Sequence, residues 1–285
     1  MGVGVWKKNL FLKKAYRYGF NILRPVVFLA QSNSRDDVLP IIVNSFPKSG
    51  THLLLQIINS FPNIIDRGQF LASTPSFSMK INSHAGMARR VNSLLNNEVA
   101  SAHMFYSAEV SEAIASKNCL HYFIYRDPRD VCISEAYYLR YMNRWHRLHK
   151  YFREMDDIGK CIDLSIDGLP ESICPAYPNI TKRFEFYKGW LTDRNVHLVK
   201  FEDLVSISKH REIYNIVKYY TQKVGVNNVD QIASRAVLSI DSNSSHTFRK
   251  GDAYQWRSEL SEAQKFRFSS IGEDLVRELN YAPTF

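Results

Sequence analysis

Ile41-Ile42-Val43-Asn44-Ser45-Phe46-Pro47-Lys48-Ser49-Gly50-Thr51-His52-Leu53-Leu54-Leu55-Gln56-Ile57-Ile58 reads as a strand, a tight turn and a helix in succession. The apolar run Ile41 to Val43 is β-prone, and Leu53, Leu54, Ile57 and Ile58 recur at helical spacing. Between them, Lys48, Ser49, Gly50 and Thr51 gather at the first turn of the helix. Unpaired backbone N–H groups and the positive end of the helix dipole face that turn, so it is a ready anion site. Gly50 lets the backbone approach an anion closely, Ser49 and Thr51 add hydroxyl donors, and Lys48 adds a full charge. The stretch is a phosphate cradle.

It is not a Walker A loop, in which a lysine follows the second glycine of G-x-x-x-x-G-K-[ST]. Here Lys48 precedes the only glycine. Bulk properties agree with an anionic ligand: the 285 residues carry a formal charge of +9 at ordinary apolar and charged fractions of 45% and 23%. Nucleic acid would also suit that charge, but the basic residues are scattered and no nucleic-acid-binding signature is present. The four cysteines (Cys119, Cys132, Cys161, Cys174) show neither C-x-x-C spacing nor metal-ligand partners, and are expected as reduced core thiols in a cytoplasmic protein. Residues 1–38 form a basic amphipathic segment, with Trp6, Phe11 and Phe20 among Lys7, Lys13 and Arg17. Its longest apolar run, Val26 to Ala30, is too short to span a bilayer, and Arg24-Pro25 interrupts any signal-peptide core. Weak contact with a membrane surface through residues 1–30 is compatible with that composition; packing on the back of the domain is the plainer expectation.

Further strands are expected at Glu98 to His103, Leu120 to Tyr125 and Val196 to Phe201. Helices are expected over Met87 to Asn96, Ser107 to Ser116, Pro128 to about Phe152, Thr181 to Leu191, Ile213 to Val224 and Ser261 to Leu279. Arg67 to Ser83, Gly159 to Asn179 and the polar stretch Asp241 to Tyr254 read as loops. Alternating strands and helices predict one α/β domain, 39–285, with a parallel sheet covered by helices on both faces and ligands at the strands' carboxyl ends.

Two further stretches sit at such ends. Tyr125-Arg126-Asp127-Pro128-Arg129-Asp130-Val131-Cys132-Ile133-Ser134 repeats the strand–turn–helix plan, placing Arg126 where a guanidinium can grip a phosphate and Ser134 eight residues on. Arg129 reads as a surface residue or as support behind the site. Phe248-Arg249-Lys250-Gly251-Asp252-Ala253-Tyr254-Gln255-Trp256 is a basic clamp whose end Trp256 anchors. Together the three stretches resemble the cytosolic-type sulfotransferases, which use 3′-phosphoadenosine 5′-phosphosulfate (PAPS) as donor and release adenosine 3′,5′-bisphosphate (PAP). Pro47-Lys48-Ser49-Gly50-Thr51 is similar to the family's 5′-phosphosulfate loop. The resemblance implies that Arg126 and Ser134, with Phe248, Arg249, Lys250 and Gly251, hold the 3′-phosphate. It also implies a P-loop-like fold, His52 within the donor loop, and Phe201 beside the adenine.

His103 follows a short strand, in a position similar to the family's catalytic histidine, and a neutral imidazole suits a general base at pH 7. His52, His84, His121 and His246 are weaker candidates. The chain departs from the family pattern at Leu53, where a tryptophan usually stacks on adenine, at His52 in place of a second threonine, and at Ser101 in place of a lysine. It also lacks the family's dimer motif, which leaves the oligomeric state open. The expected reaction is in-line transfer of a sulfuryl group to a hydroxyl or amine of a small-molecule acceptor. His103 serves as base, Lys48 stabilises developing charge, and no metal is required. Phe70, Leu71, Phe77, Tyr137, Tyr138 and Tyr141 are candidates to line the acceptor pocket. A kinase-like phosphotransferase would need a Walker lysine and a carboxylate-held magnesium, neither of which is placed. A non-catalytic binder of nucleotide or nucleic acid would leave the ordering of the three stretches unexplained.

Overall fold

The computed structural model describes residues 39–241 and 251–285. Residues 1–38, His246, Phe248, Arg249 and Lys250 therefore lie outside the described residues. Five strands make one sheet: β1 (Ile41–Ser45), β2 (Ile65–Ala72), β3 (Glu98–His103), β4 (Leu120–Tyr125) and β5 (Val196–Lys200). Their order is β2-β3-β1-β4-β5, and every neighbouring pair is parallel. With β1 central, its carboxyl end and those of β3 and β4 bound one crevice, where ligands of open α/β sheets bind.

The central strands β1 and β4 are buried on both faces, so they read as apolar runs, whereas the edge strands β2 and β5 are partly exposed. Alternation along β1 divides the core. Ile41 and Val43 pack with Leu54, Ile57 and Ile58 of α1 (Thr51–Asn59), while Ile42 points to the opposite layer with Phe123. Each such fully buried aliphatic side chain contributes about 1.5–3 kcal/mol. The first layer is completed by α9 (Lys209–Val224) and α10 (Val229–Leu238). The second is covered by α4 (Pro128–Tyr137), α6 (Ile158–Asp167), α7 (Ile180–Lys188) and α12 (Glu262–Glu278). The remaining helices are α2 (His84–Asn92), α3 (Ala108–Ser116), α5 (His149–Arg153), α8 (Phe201–Val205) and α11 (Trp256–Glu259). Side-chain caps start several of them: Ser107 accepts from Val110 N, and Ser261 and Gln264 form a capping box on α12. All four cysteines are free and buried, and burial pushes the Cys119 and Cys132 thiols up to about 12.

Four expectations need correction. Arg67 to Ser83 is not all loop, because β2 occupies Ile65–Ala72 at the sheet edge. A register shift against β3 between Asp66 and Gln69, around Gly68, breaks the alternation that would have announced it. Gly159 to Asn179 is not all irregular. Asp157 caps α6 through Lys160 N, and Cys161, Ile162, Ser165 and Ile166 line its buried face before Gly168 ends it. The helix starting at Pro128 does not run to Phe152; it ends at Tyr137 and passes into a π-turn, Tyr138–Met142. Phe201 is not the last residue of a strand but the first of α8.

Candidate functional site

A cavity of about 510 Å³ opens at the carboxyl ends of the strands. Its wall includes Lys48, Gly50, Thr51 and His52 from the β1–α1 turn, His103 from β3, Arg126 and Ser134 from the β4–α4 stretch, Phe201, and Gly251. Stretches more than two hundred residues apart thus meet at one place. Ser49 is fully buried and does not line the cavity; its hydroxyl has no partner among the described residues.

The turn is held in an uncommon backbone form. Lys48 and Gly50 both have positive φ, 68° and 100°. The former costs a non-glycine residue about 1–3 kcal/mol, strain that folded proteins concentrate at functional positions. A Cβ on Gly50 would stand 2.6 Å from the Phe201 ring. The Lys48 ammonium lies 4.0 Å over the Tyr138 ring. Burial lowers its pKa to about 8, an effect that Glu135 opposes and Arg126 reinforces.

A hydroxyl relay links this turn to the histidine. Thr51 Oγ1 and Ser45 Oγ are 2.6 Å apart, and Ser45 Oγ is 3.0 Å from His103 Nδ1. The Ser45 carbonyl also lies 3.1 Å from Nδ1. A carbonyl only accepts, so Nδ1 carries the proton and Nε2 keeps its lone pair. Burial lowers the His103 pKa to about 4, against the Ser45 carbonyl, with His52 and Lys48 adding to the lowering. Phe70 meets the imidazole edge-on at 5.2 Å.

Arg126 joins the second stretch to the third. Its Nη2 donates to the Asp252 carbonyl at 2.8 Å and to Asp130 at 3.2 Å, and its guanidinium stacks over Phe201 at 4.3 Å. The buried Nε has no partner among the described residues. Asp130 also accepts from Trp256 N at 2.9 Å, which ties the clamp's end to α4. Arg129 is not at the surface. It is fully buried, paired with Asp127 at 2.7 Å, stacked on Trp256 and bonded to the Ala282 carbonyl, so it braces the loop from behind.

The other end of the cavity is apolar with a charged wall. Phe70 and Tyr138 line it, with Phe46, Phe105, Phe186 and Leu139. Leu71 is in the core, Phe77 and Tyr141 are exposed, and Tyr137 is not part of the wall. Glu135 and Arg183 were missed by sequence reading. The Glu135 Oε2 accepts from Arg183, from Tyr177 at 2.6 Å and from Ser165 at 2.7 Å. Burial raises the Glu135 carboxyl, but Arg183 and these hydrogen bonds outweigh it and leave the pKa lowered. Only the i+1 position after Ser134 hinted at Glu135; Arg183 gave no local signal. Of the other histidines, His52 lines the cavity, His84 opens α2 outside it, and His121 is buried against Trp190.

A family model described as the sulfotransferase domain matches residues 39–280. No curated protein sequence matches the chain. Among solved structures, mouse sulfotransferase SULT7A1 complexed with PAP is similar over 90% of this chain and 89% of that one, at 17% identity and a TM-score of 0.58. Retinol dehydratase in complex with retinol and PAP is similar over 93% and 87%, at 12% identity and a TM-score of 0.55. Its complex with androsterone and inactive cofactor PAP gives 85% and 82%, 12% and 0.52. At such identities the likeness is one of fold.

Proposed function

The chain belongs to the sulfotransferase family, and on that footing we propose that it moves a sulfuryl group from PAPS to a hydroxyl or amine of a small-molecule acceptor. The observation that carries the reading is the meeting of Lys48, His103 and Arg126 around one cavity, from stretches far apart in sequence. The wall suits the donor. The Gly50 cradle has no room for a side chain, and Arg126 keeps a buried Nε without a described partner. PAP in the structural neighbours points the same way.

PAPS supplies an activated sulfuryl group on its 5′-phosphate. Lys48, with the backbone around Ser49, Gly50 and Thr51, holds the 5′ end and offsets negative charge that grows during transfer. Arg126 and Ser134, joined by Phe248, Arg249, Lys250 and Gly251, grip the 3′-phosphate and fix the in-line geometry. Phe201 and Leu53 border the adenine. His103 works as base through Nε2, since Nδ1–H is committed to the Ser45 carbonyl. Its lowered pKa keeps it neutral and able to accept the acceptor's proton across the physiological range.

The retinol and androsterone of the structural neighbours, and the aromatic wall here, support a predominantly apolar acceptor. Incubation with PAPS and a metabolite extract tests the reading. A species that gains a sulfuryl group as PAP accumulates is the expected result. PAPS left intact across extracts, with phosphoryl transfer from ATP instead, would favour a phosphotransferase.

A further inference from the structure

The mouth of the cavity carries an exposed aromatic and basic lip that the transfer reaction does not use. Two segments form it, residues 76–82 and 138–153, tied together by Arg147, whose N donates to the Ser76 carbonyl at 2.9 Å and whose Nη1 donates to that of Ser78 at 3.2 Å. Trp145 is 90% exposed, Phe77 76% and Tyr141 57%. Large aromatic side chains gathered with this exposure beside one cavity mouth mark an interaction surface. The charge is equally one-sided: the two segments hold six lysines or arginines and no carboxylate before Glu154. Arg140 is turned inward to the Phe152 and Met155 carbonyls, whereas Arg144, Arg147 and Lys150 are exposed.

We propose that this lip docks on an anionic lipid bilayer, with Trp145, Phe77 and Tyr141 at headgroup depth and Arg144, Arg147 and Lys150 against the lipid phosphates. The rings of Trp145 and Tyr141, each with an apolar body and a polar atom, suit that depth, Phe77 adds apolar area, and each nearby cation adds to the attraction of an anionic leaflet. A soluble polyanion without aromatic or apolar groups, such as a polyphosphate or a sulfated glycan, would satisfy the cations but leave the rings in water. No helix among the described residues is long and apolar enough to cross a membrane, so the contact is peripheral. The same segments give Met79, Tyr138, Leu139, His146 and Leu148 to the cavity wall, so docking turns the mouth toward the bilayer. An acceptor dissolved in lipid then reaches the cavity without crossing water. The docking goes beyond the sulfotransferase reading and stands without it.

The test uses the full chain and vesicles of phosphatidylcholine with or without phosphatidylglycerol. Trp190 and Trp256 are buried, so in a Trp6→Phe background Trp145 reports for the described residues. Anionic vesicles are expected to shift its emission to the blue and to expose it to quenching by brominated lipid, an effect that salt weakens. The pairs Arg144→Glu with Lys150→Glu, and Phe77→Ala with Trp145→Ala, are each expected to cut partitioning about tenfold or more, with melting and PAP affinity unchanged. Equal binding to neutral vesicles, a static Trp145 spectrum, or wild-type partitioning by both pairs would overturn the proposal. So would a dimer that Trp145→Ala dissociates, because the lip would then cover a second copy. None of these readouts depends on turnover.

Discussion

The two ends of the cavity are built on different principles. The end lined by Lys48, Gly50 and Arg126 is set by backbone form and by polar atoms without described partners: a turn with positive φ at Lys48 and Gly50, and a guanidinium Nε without a described bond. At the end lined by Glu135, the buried carboxylate already has its donors, Arg183, Tyr177 and Ser165, and only the Arg183 Nε lacks a partner among the described residues. One end has the charge and the backbone form to receive a charged guest, and the other is an internal ion pair that shapes a wall. Substitutions at the first should therefore cost binding and rate, whereas those at the second should cost stability.

The largest effect is expected from the histidine. His103→Ala should lower turnover by roughly two to four orders of magnitude while PAP affinity stays near wild type. Lys48→Ala should impair both, since its charge serves ground and transition states alike. Calorimetric affinity beside single-turnover rates separates the two. A nearly active His103→Ala would move the base to His52.

At the opposite end, Glu135→Ala leaves Arg183 buried without its carboxylate and should destabilise the fold by about 3–5 kcal/mol. Urea unfolding reads this directly. Donor affinity should fall only modestly, through the lost support of Glu135 for the Lys48 charge, and a large loss of PAP affinity with wild-type stability would erase the contrast. Gly50→Ala is expected to cost about 1–3 kcal/mol through its φ of 100°, and to weaken PAP as Phe201 is pushed aside.

The smallest effect is in pH. Lys48 is charged below a pKa of about 8 and neutral above it, so PAP affinity should fall as pH rises from 7 to about 9, and Lys48→Arg should flatten that slope. His103 becomes protonated only near pH 4, so the acid limb of kcat/KM for the free enzyme should lie well below the usual histidine range. An acid limb near 6.5 would place the base on a less buried histidine.

Legibility in the sequence follows the same division. The β1–α1 turn and Arg126 were readable because strand, turn and helix are contiguous, so residue order alone sets the backbone that positions the side chains. The parallel sheet was readable for the same reason, strand by strand. β2 was not, because a bulge at an edge strand erases its period, and α6 was masked by the prolines and glycine that follow it. The Glu135–Arg183 pair joins α4 to α7, 48 residues apart, and only packing brings them together. For that reason too, sequence left Arg129 open between the surface and a supporting place, and the structure gives it the second: its partners Ala282 and Thr284 come from the far end of the chain. Ser45, to which the sequence assigned no role, is the link between Thr51 and His103, which pairing of β1 with β3 creates.

The most direct measurement is calorimetric titration of the full chain with PAP and, separately, with AMP, which differ only in the 3′-phosphate. Charge-assisted hydrogen bonds are worth about 1.5–3 kcal/mol each, so a clamp built on Arg126 and residues 249–251 should favour PAP by at least about tenfold, a margin that Arg126→Ala removes. Equal affinities for the two nucleotides would contradict the assignment of this cavity to a sulfotransferase donor.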